Sequence, residues 1–184
     1  NKDYYFFFTK HLLFTFIALF IMILISVLKT ELIIKYTLHA FIISFFLLAL
    51  VPIVGTEVKG AKRWLDLYFF RLQPIEILKP IFILFTVKIL TLEKLKTSQI
   101  KYILSFIVLS SVIILLIDQP DLGQSILLII SWVATVFISG VSLFYIFVFF
   151  SLFLISISSL LFLFPEKFGY ITNRLIAFFD PSQG

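Results

Sequence analysis

The chain has no cysteine, one methionine and two histidines in 184 residues. Without cysteine there is no disulfide scaffold, no cysteine nucleophile and no thiolate metal site. Charge is scarce too. Only 14% of residues are Asp, Glu, Lys or Arg, against about a quarter in a soluble domain. No Walker, Rossmann, zinc or Ser-His-Asp arrangement is present. His11 and His39 are isolated and read as structural. Glycine and proline number six each and largely punctuate apolar runs. These shortages exclude a soluble globular domain, cysteine catalysis and thiolate metal sites.

What fills the chain is apolar. Hydrophobic residues make up 61%, 25 of them Phe, and the mean hydropathy is +1.16. That excludes a disordered chain and predicts an all-α, polytopic membrane helix bundle. Six continuous apolar runs predict helices over about 11–28, 36–54, 74–92, 102–117, 122–139 and 143–164. Each is too long and too unbroken for a strand, and a helix satisfies its own backbone in lipid. Pro74 and Pro120 are predicted at helix starts, and Pro80 is the exception that kinks the third helix. No signal peptide is visible, the chain begins at Asn1 and it stops at Gly184 in what reads as a loop. An internal piece of a longer membrane protein is therefore expected.

The net charge is +5, with 12 Lys against 3 Arg. The cations sit between apolar runs, which points to membrane lipid as the neighbour and not nucleic acid. Parity puts segments 55–73, 118–121 and 165–184 on the N-terminal side, called side A. Lysines occur on both sides, so counting them leaves the orientation open. Side A nevertheless holds nearly all the mixed chemistry.

Three stretches carry it. In Gln73-Pro74-Ile75-Glu76-Ile77-Leu78-Lys79-Pro80, Glu76 and Lys79 share a helix face and can pair. They are either a functional cluster at membrane depth or an interfacial pair with a snorkelling lysine. In Asp118-Gln119-Pro120-Asp121-Leu122-Gly123, the pattern Gln-Pro-acid returns at a second helix start. Asp121 either caps that helix or meets Glu76 and Lys79 at one depth. In the loop from Gly55 to Asp66, Lys59, Lys62 and Arg63 are either phosphate ligands or a solvated basic loop, with Trp64 in an interface belt.

These residues resemble the ordered signatures of the FtsW/RodA/SpoVE family. The match rests on Gly60-Ala61-Lys62-Arg63-Trp64, then Gln73-Pro74-x-Glu76-x-x-Lys79, then Gln119-Pro120-Asp121-Leu122-Gly123. Glu57-x-Lys59-Gly60, Lys79-Pro80 and Gly123-Gln124-Ser125 resemble its cell-division branch. Arg174 with Phe179-Asp180-Pro181 resembles the opening of that family's large extracytoplasmic loop. Ile75, Asp118 and Tyr68-Phe69-Phe70 depart from the pattern.

The resemblance implies a bundle of about ten transmembrane helices, six of them here. It implies the bacterial cytoplasmic (inner) membrane, with side A extracytoplasmic. The implied activity is peptidoglycan glycosyl transfer: lipid II is polymerised into glycan strands during division and undecaprenyl diphosphate is released. The implied partners are lipid II and a class B penicillin-binding transpeptidase. A lipid II flippase, a division scaffold and an inactive truncated gene product are the alternatives. Glu76, Lys79 and Asp121 match cavity positions, with Lys59, Arg63, Gln73 and Gln119 around them. Gly60, Trp64, Pro74, Pro120 and Gly123 are implied as structural motif positions. The catalytic acid is expected beyond Gly184. A divalent cation such as Mg2+, held by the carboxylates, is a further expectation.

Overall fold

A computed structural model describes residues 2–58, 60–68, 70–93, 97–163 and 169. Lys59 and the segment 165–184, apart from Gly169, lie outside the described residues, and with them the expectations placed on Arg174 and Phe179-Asp180-Pro181. The helices are α1 (Lys2–Val27), α2 (Thr30–Val54), α3 (Pro74–Leu90), α4 (Ser98–Asp118), α5 (Leu122–Ile138) and α6 (Leu143–Leu163). The all-α bundle predicted from the apolar runs is what the chain forms. Within it, Phe7–Val27, Thr30–Val54 and Gln99–Asp118 are each long and apolar enough to cross a membrane.

The break between α1 and α2 is narrower than the sequence predicts. α1 starts at Lys2, because nothing from Lys2 to Lys10 breaks a helix. α2 starts at Thr30, where Glu31 lies in the first turn and suits the helix dipole. Pro80 does lie inside α3, but it is not the exception, since Pro52 lies inside α2. Pro120 does not open α5. It sits in the turn before Asp121, which occupies the N-cap position.

Between α2 and α3 the predicted polar loop is a small antiparallel sheet, with β1 (Thr56–Val58), β2 (Ala61–Asp66) and β3 (Arg71–Leu72) in sequence order. Val58 pairs with Ala61 and Glu57 with Lys62, but Thr56 pairs with Trp64. The register slips there, and Arg63 is left without an opposite partner, as the extra residue of a bulge is. Gly60 makes the β1–β2 turn with φ of 76°, in the left-handed region that only glycine enters freely.

The core lies among α2, α3, α4 and α5, and β2 packs against α2 and α3. Its buried residues recur at helical spacing: Phe41, Ser44 and Leu48 on α2, Leu78 and Phe82 on α3. Phe41 stacks on Phe85 with ring centroids 4.5 Å apart. Two of the small hydroxyls that enter this core spend their donors on their own helix, whereas that of Thr86 on α3 is buried without a partner among the described residues. Thr37 donates to the Ile33 carbonyl at 2.7 Å and Ser44 to Ala40 at 2.8 Å. The outward faces are apolar instead: Ile103, Ile107 and Ile114 on α4 are all exposed. That inversion suits a lipid surround. None of the α1 span is buried inside the structure.

α3 and α5 have 17 residues each, about 25 Å at the helical rise, short of the roughly 30 Å hydrocarbon layer. Both begin beside the sheet, so their first turns and the sheet together make one polar end to an apolar bundle. Replacing Gly60 with alanine puts a Cβ on left-handed backbone. A loss of about 1–2 kcal/mol is expected, read as a lower thermal midpoint of the detergent-purified full-length protein.

Candidate functional site

Arg63 is the residue on which this polar end closes. From the bulge in β2 its guanidinium reaches the turn between α4 and α5. Nε donates to the Gln119 carbonyl at 3.2 Å, and Nη2 donates to the Pro120 carbonyl. Nε also lies 3.8 Å from Oδ2 of Asp121. Residues at a helix C-terminus leave carbonyls without helical donors, and Arg63 fills two such places in the turn after α4. The turn's backbone helps, since Asp121 N donates to the Leu116 carbonyl at 3.0 Å.

Asp121 sits at the N-cap of α5, yet its carboxylate makes no capping hydrogen bond. It accepts instead from Gln73 Nε2 at 3.3 Å. Gln73 is itself the N-cap residue of α3, again without a side-chain cap. The two helix starts are therefore tied to each other through their cap side chains. The Asp121 side chain is 9% exposed and that of Arg63 23%. A carboxylate so enclosed needs its cation, and Arg63 supplies one.

One turn further along, Glu76, Lys79 and Gln124 form a closed triangle. Lys79 Nζ lies 2.7 Å from Glu76 Oε2 and donates to Gln124 Oε1 at 2.8 Å. Gln124 Nε2 donates to Glu76 Oε1 at 2.8 Å. The Glu76 side chain is 50% exposed and that of Lys79 18%, so the triangle opens outward on its acidic corner.

The expected cluster of Glu76, Lys79 and Asp121 is thus arranged as two adjoining networks, with Asp121 in one and the Glu76–Lys79 pair in the other. Gln73 joins the Asp121 network. Gln119 is buried at 2% exposure and its amide donates to the Leu48 carbonyl at 3.2 Å, away from any opening. Lys59 lies outside the described residues. Among the motif positions, Pro74 is the first residue of α3, Trp64 is half-buried on β2 and Gly123 lies exposed in the first turn of α5. Gln124 was not singled out from the sequence. Its signal was there, since it follows Asp121 by three residues as Glu76 follows Gln73.

Two helix N-termini, Arg63 and Lys79 make this end attractive to an anion. Both carboxylates are already answered by cations and amides. Among the described residues no three His, Asp or Glu side chains converge to hold a metal.

An apolar bundle with a polar, charge-balanced end formed by two helix starts and a hairpin defines an integral membrane protein. The family model described as a cell cycle protein, FTSW_RODA_SPOVE, matches residues 1–184, and the chain belongs to that family. A probable peptidoglycan glycosyltransferase FtsW of Aliivibrio salmonicida is 33% identical over 179 residues, covering 96% of this chain and 44% of the relative. The protein of the same name from Wigglesworthia glossinidia brevipalpis is 30% identical, covering 98% of this chain and 47% of its own. The chain thus spans less than half the length of these relatives. A chain from a peptidoglycan synthase complex that coordinates polymerization and crosslinking superposes with a TM-score of 0.71 at 27% identity, over 89% of this chain and 48% of that one. The rod shape determining protein RodA of Thermus thermophilus gives 0.61 at 27% identity, over 74% and 46%.

Arg63→Lys tests the fork. The charge stays, but a single ammonium cannot hold two carbonyls and the carboxylate in one plane. A loss of about 1–3 kcal/mol is expected, read by thermal unfolding of the full-length protein. A variant as stable as the parent would show that the charge alone suffices.

Proposed function

We propose that this chain is part of a peptidoglycan glycosyltransferase that polymerises lipid II in the bacterial cytoplasmic membrane during cell division. The observation that carries this reading is the closed Glu76–Lys79–Gln124 triangle beside the Asp121 network, at one end of an apolar bundle. The names borne by the relatives support the activity.

The chemistry asks for two things. The acceptor hydroxyl must lose a proton, and the departing diphosphate must be met by positive charge. Lys79 and the N-termini of α3 and α5 suit the second demand. Half-exposed Glu76 holds Lys79 in place through its short ion pair, so the ammonium is positioned before substrate arrives. Asp121, enclosed by Arg63 and Gln73, sets where α5 begins relative to α3. In this reading the motif-bearing end faces the extracytoplasmic side. The proton is taken by the acid that the family resemblance puts in the large loop beyond Gly184.

The gathering of charge at one end of the bundle favours surface chemistry over a substrate path through the bilayer. Likeness to a chain of a peptidoglycan synthase complex supports a class B penicillin-binding transpeptidase as the partner. Such a partner has apolar helix faces to meet, since much of α4 and α6 points outward.

The combined variant Glu76→Gln, Lys79→Gln, Asp121→Asn tests the proposal in purified full-length protein supplied with lipid II. Glycan polymerisation is expected to fall by about a hundredfold or more, with the protein still extracted as a folded monodisperse species. Polymerisation at the parental rate would overturn the assignment of these residues.

A further inference from the structure

Pro52 leaves a defect in the last turn of α2, beside the sheet. It lies inside α2, and a proline has no N–H to give the carbonyl four residues earlier. That carbonyl belongs to Leu48, whose residue is fully buried at 0% exposure. No water reaches it, and an unanswered carbonyl in such a place is costly. The donor comes from elsewhere in the chain: Gln119 Nε2 lies 3.2 Å from the Leu48 oxygen in a buried hydrogen bond.

Gln119 has a second attachment. Its own backbone carbonyl accepts from Arg63 Nε at 3.2 Å. One residue thus joins α2 through its side chain and β2 through its main chain. Two residues later comes Asp121, the N-cap of α5. The chain between them is a single turn closed by the hydrogen bond from Asp121 N to the Leu116 carbonyl.

We propose that Gln119 is a positioning residue. Its amide stands in for the helix donor that Pro52 removes, and by doing so it fixes the α4–α5 turn, and Asp121 with it, against α2. Gln119 on this view touches no substrate. It sits in the same Gln-Pro-Asp motif as Asp121 because the motif needs an anchor as well as an acid. The effect on catalysis rests on the polymerase reading; the pairing of Gln119 with Pro52 does not.

The pairing makes a prediction that a simple packing role does not. Gln119→Met keeps the straight side chain but removes the N–H. Pro52→Ala restores the helix donor to Leu48. The experiment compares full-length parent, Pro52→Ala, Gln119→Met and the double variant. The readouts are thermal midpoint in detergent and the kcat and KM for lipid II. Gln119→Met is expected to lower the midpoint and to cut kcat by about tenfold or more, with KM little changed. Pro52→Ala is expected to be near the parent. The double variant is expected to recover most of both losses.

Equal damage from Gln119→Met with and without Pro52→Ala would overturn the proposal, as would a Gln119→Met protein as stable as the parent. A raised KM that Pro52→Ala does not repair would overturn it too, because that is the signature of a lost substrate contact. If Gln119→Met fails to accumulate in membranes, accumulation of the double variant supports the pairing and its failure overturns it. Should the parent itself polymerise nothing, the polymerase reading falls while the four thermal midpoints still decide the pairing.

Discussion

A backbone carbonyl inside an apolar bundle has no water to turn to, and most of what is unusual in this chain answers that constraint. In the helix interiors the ladder does the work, and most buried Ser and Thr hydroxyls point back into it, as Ser125 does to the Asp121 carbonyl at 2.9 Å; Thr86, fully buried on α3, makes no such bond. Where the ladder fails, a long side chain reaches across. Arg63 serves the turn after α4, and Gln119 serves the gap that Pro52 opens in α2. At the other end Lys88, on α3, donates to the Ile34 carbonyl of α2 at 2.8 Å. Arg63, Gln119 and Lys88 thus connect elements through backbone carbonyls.

The same constraint explains why the charges are balanced where they are buried. Arg63 faces Asp121, and Lys79 faces Glu76. Removing either member of such a pair leaves an uncompensated charge in a poor solvent for it. The pairs differ in exposure, however, and so in what they can do. Asp121 is enclosed and multiply held, which suits a fixed structural tie. Glu76 is half open to the outside, and its Lys79 partner can be shared with an incoming anion at small rearrangement. The two acids of the repeated Gln-Pro-acid pattern therefore look alike in sequence and separate in structure.

That separation marks the border of what the sequence could say. The bundle was legible because lipid demands long continuous apolar runs, and no other fold class offers them. The Glu76–Lys79 contact was legible because a spacing of three is a local property of a helix. The sheet was not, because strands of three, six and two residues carry no periodicity to read. Nor was the reach of Arg63, which depends on a bulge set by how β1 and β2 pair. Gln124 was legible only as part of Gly123-Gln124-Ser125 and not as a site residue, because an amide in a helix start carries no charge to mark it. The sequence left two roles open for Asp121, since whether a carboxylate caps or reaches elsewhere is decided by its tertiary neighbours, here Gln73 and Arg63.

The brevity of α3 and α5 gives these contacts their common setting. Helices of 17 residues fall short of the hydrocarbon layer, and both begin at the end where the hairpin folds back on α2 and α3. Longer helices would carry their first turns out to the headgroups and into water, where Glu76–Lys79 would be a weak surface pair. Short ones keep those turns within the low-dielectric part of the bundle, where the same charges act strongly on one another and on any anion that enters. The hairpin then has to replace the missing turns, and the bulge at Arg63 is how it does so, lending a cation and a set of donors to a turn that has neither. The polar end of this bundle follows from two helices that stop early and a sheet that completes them.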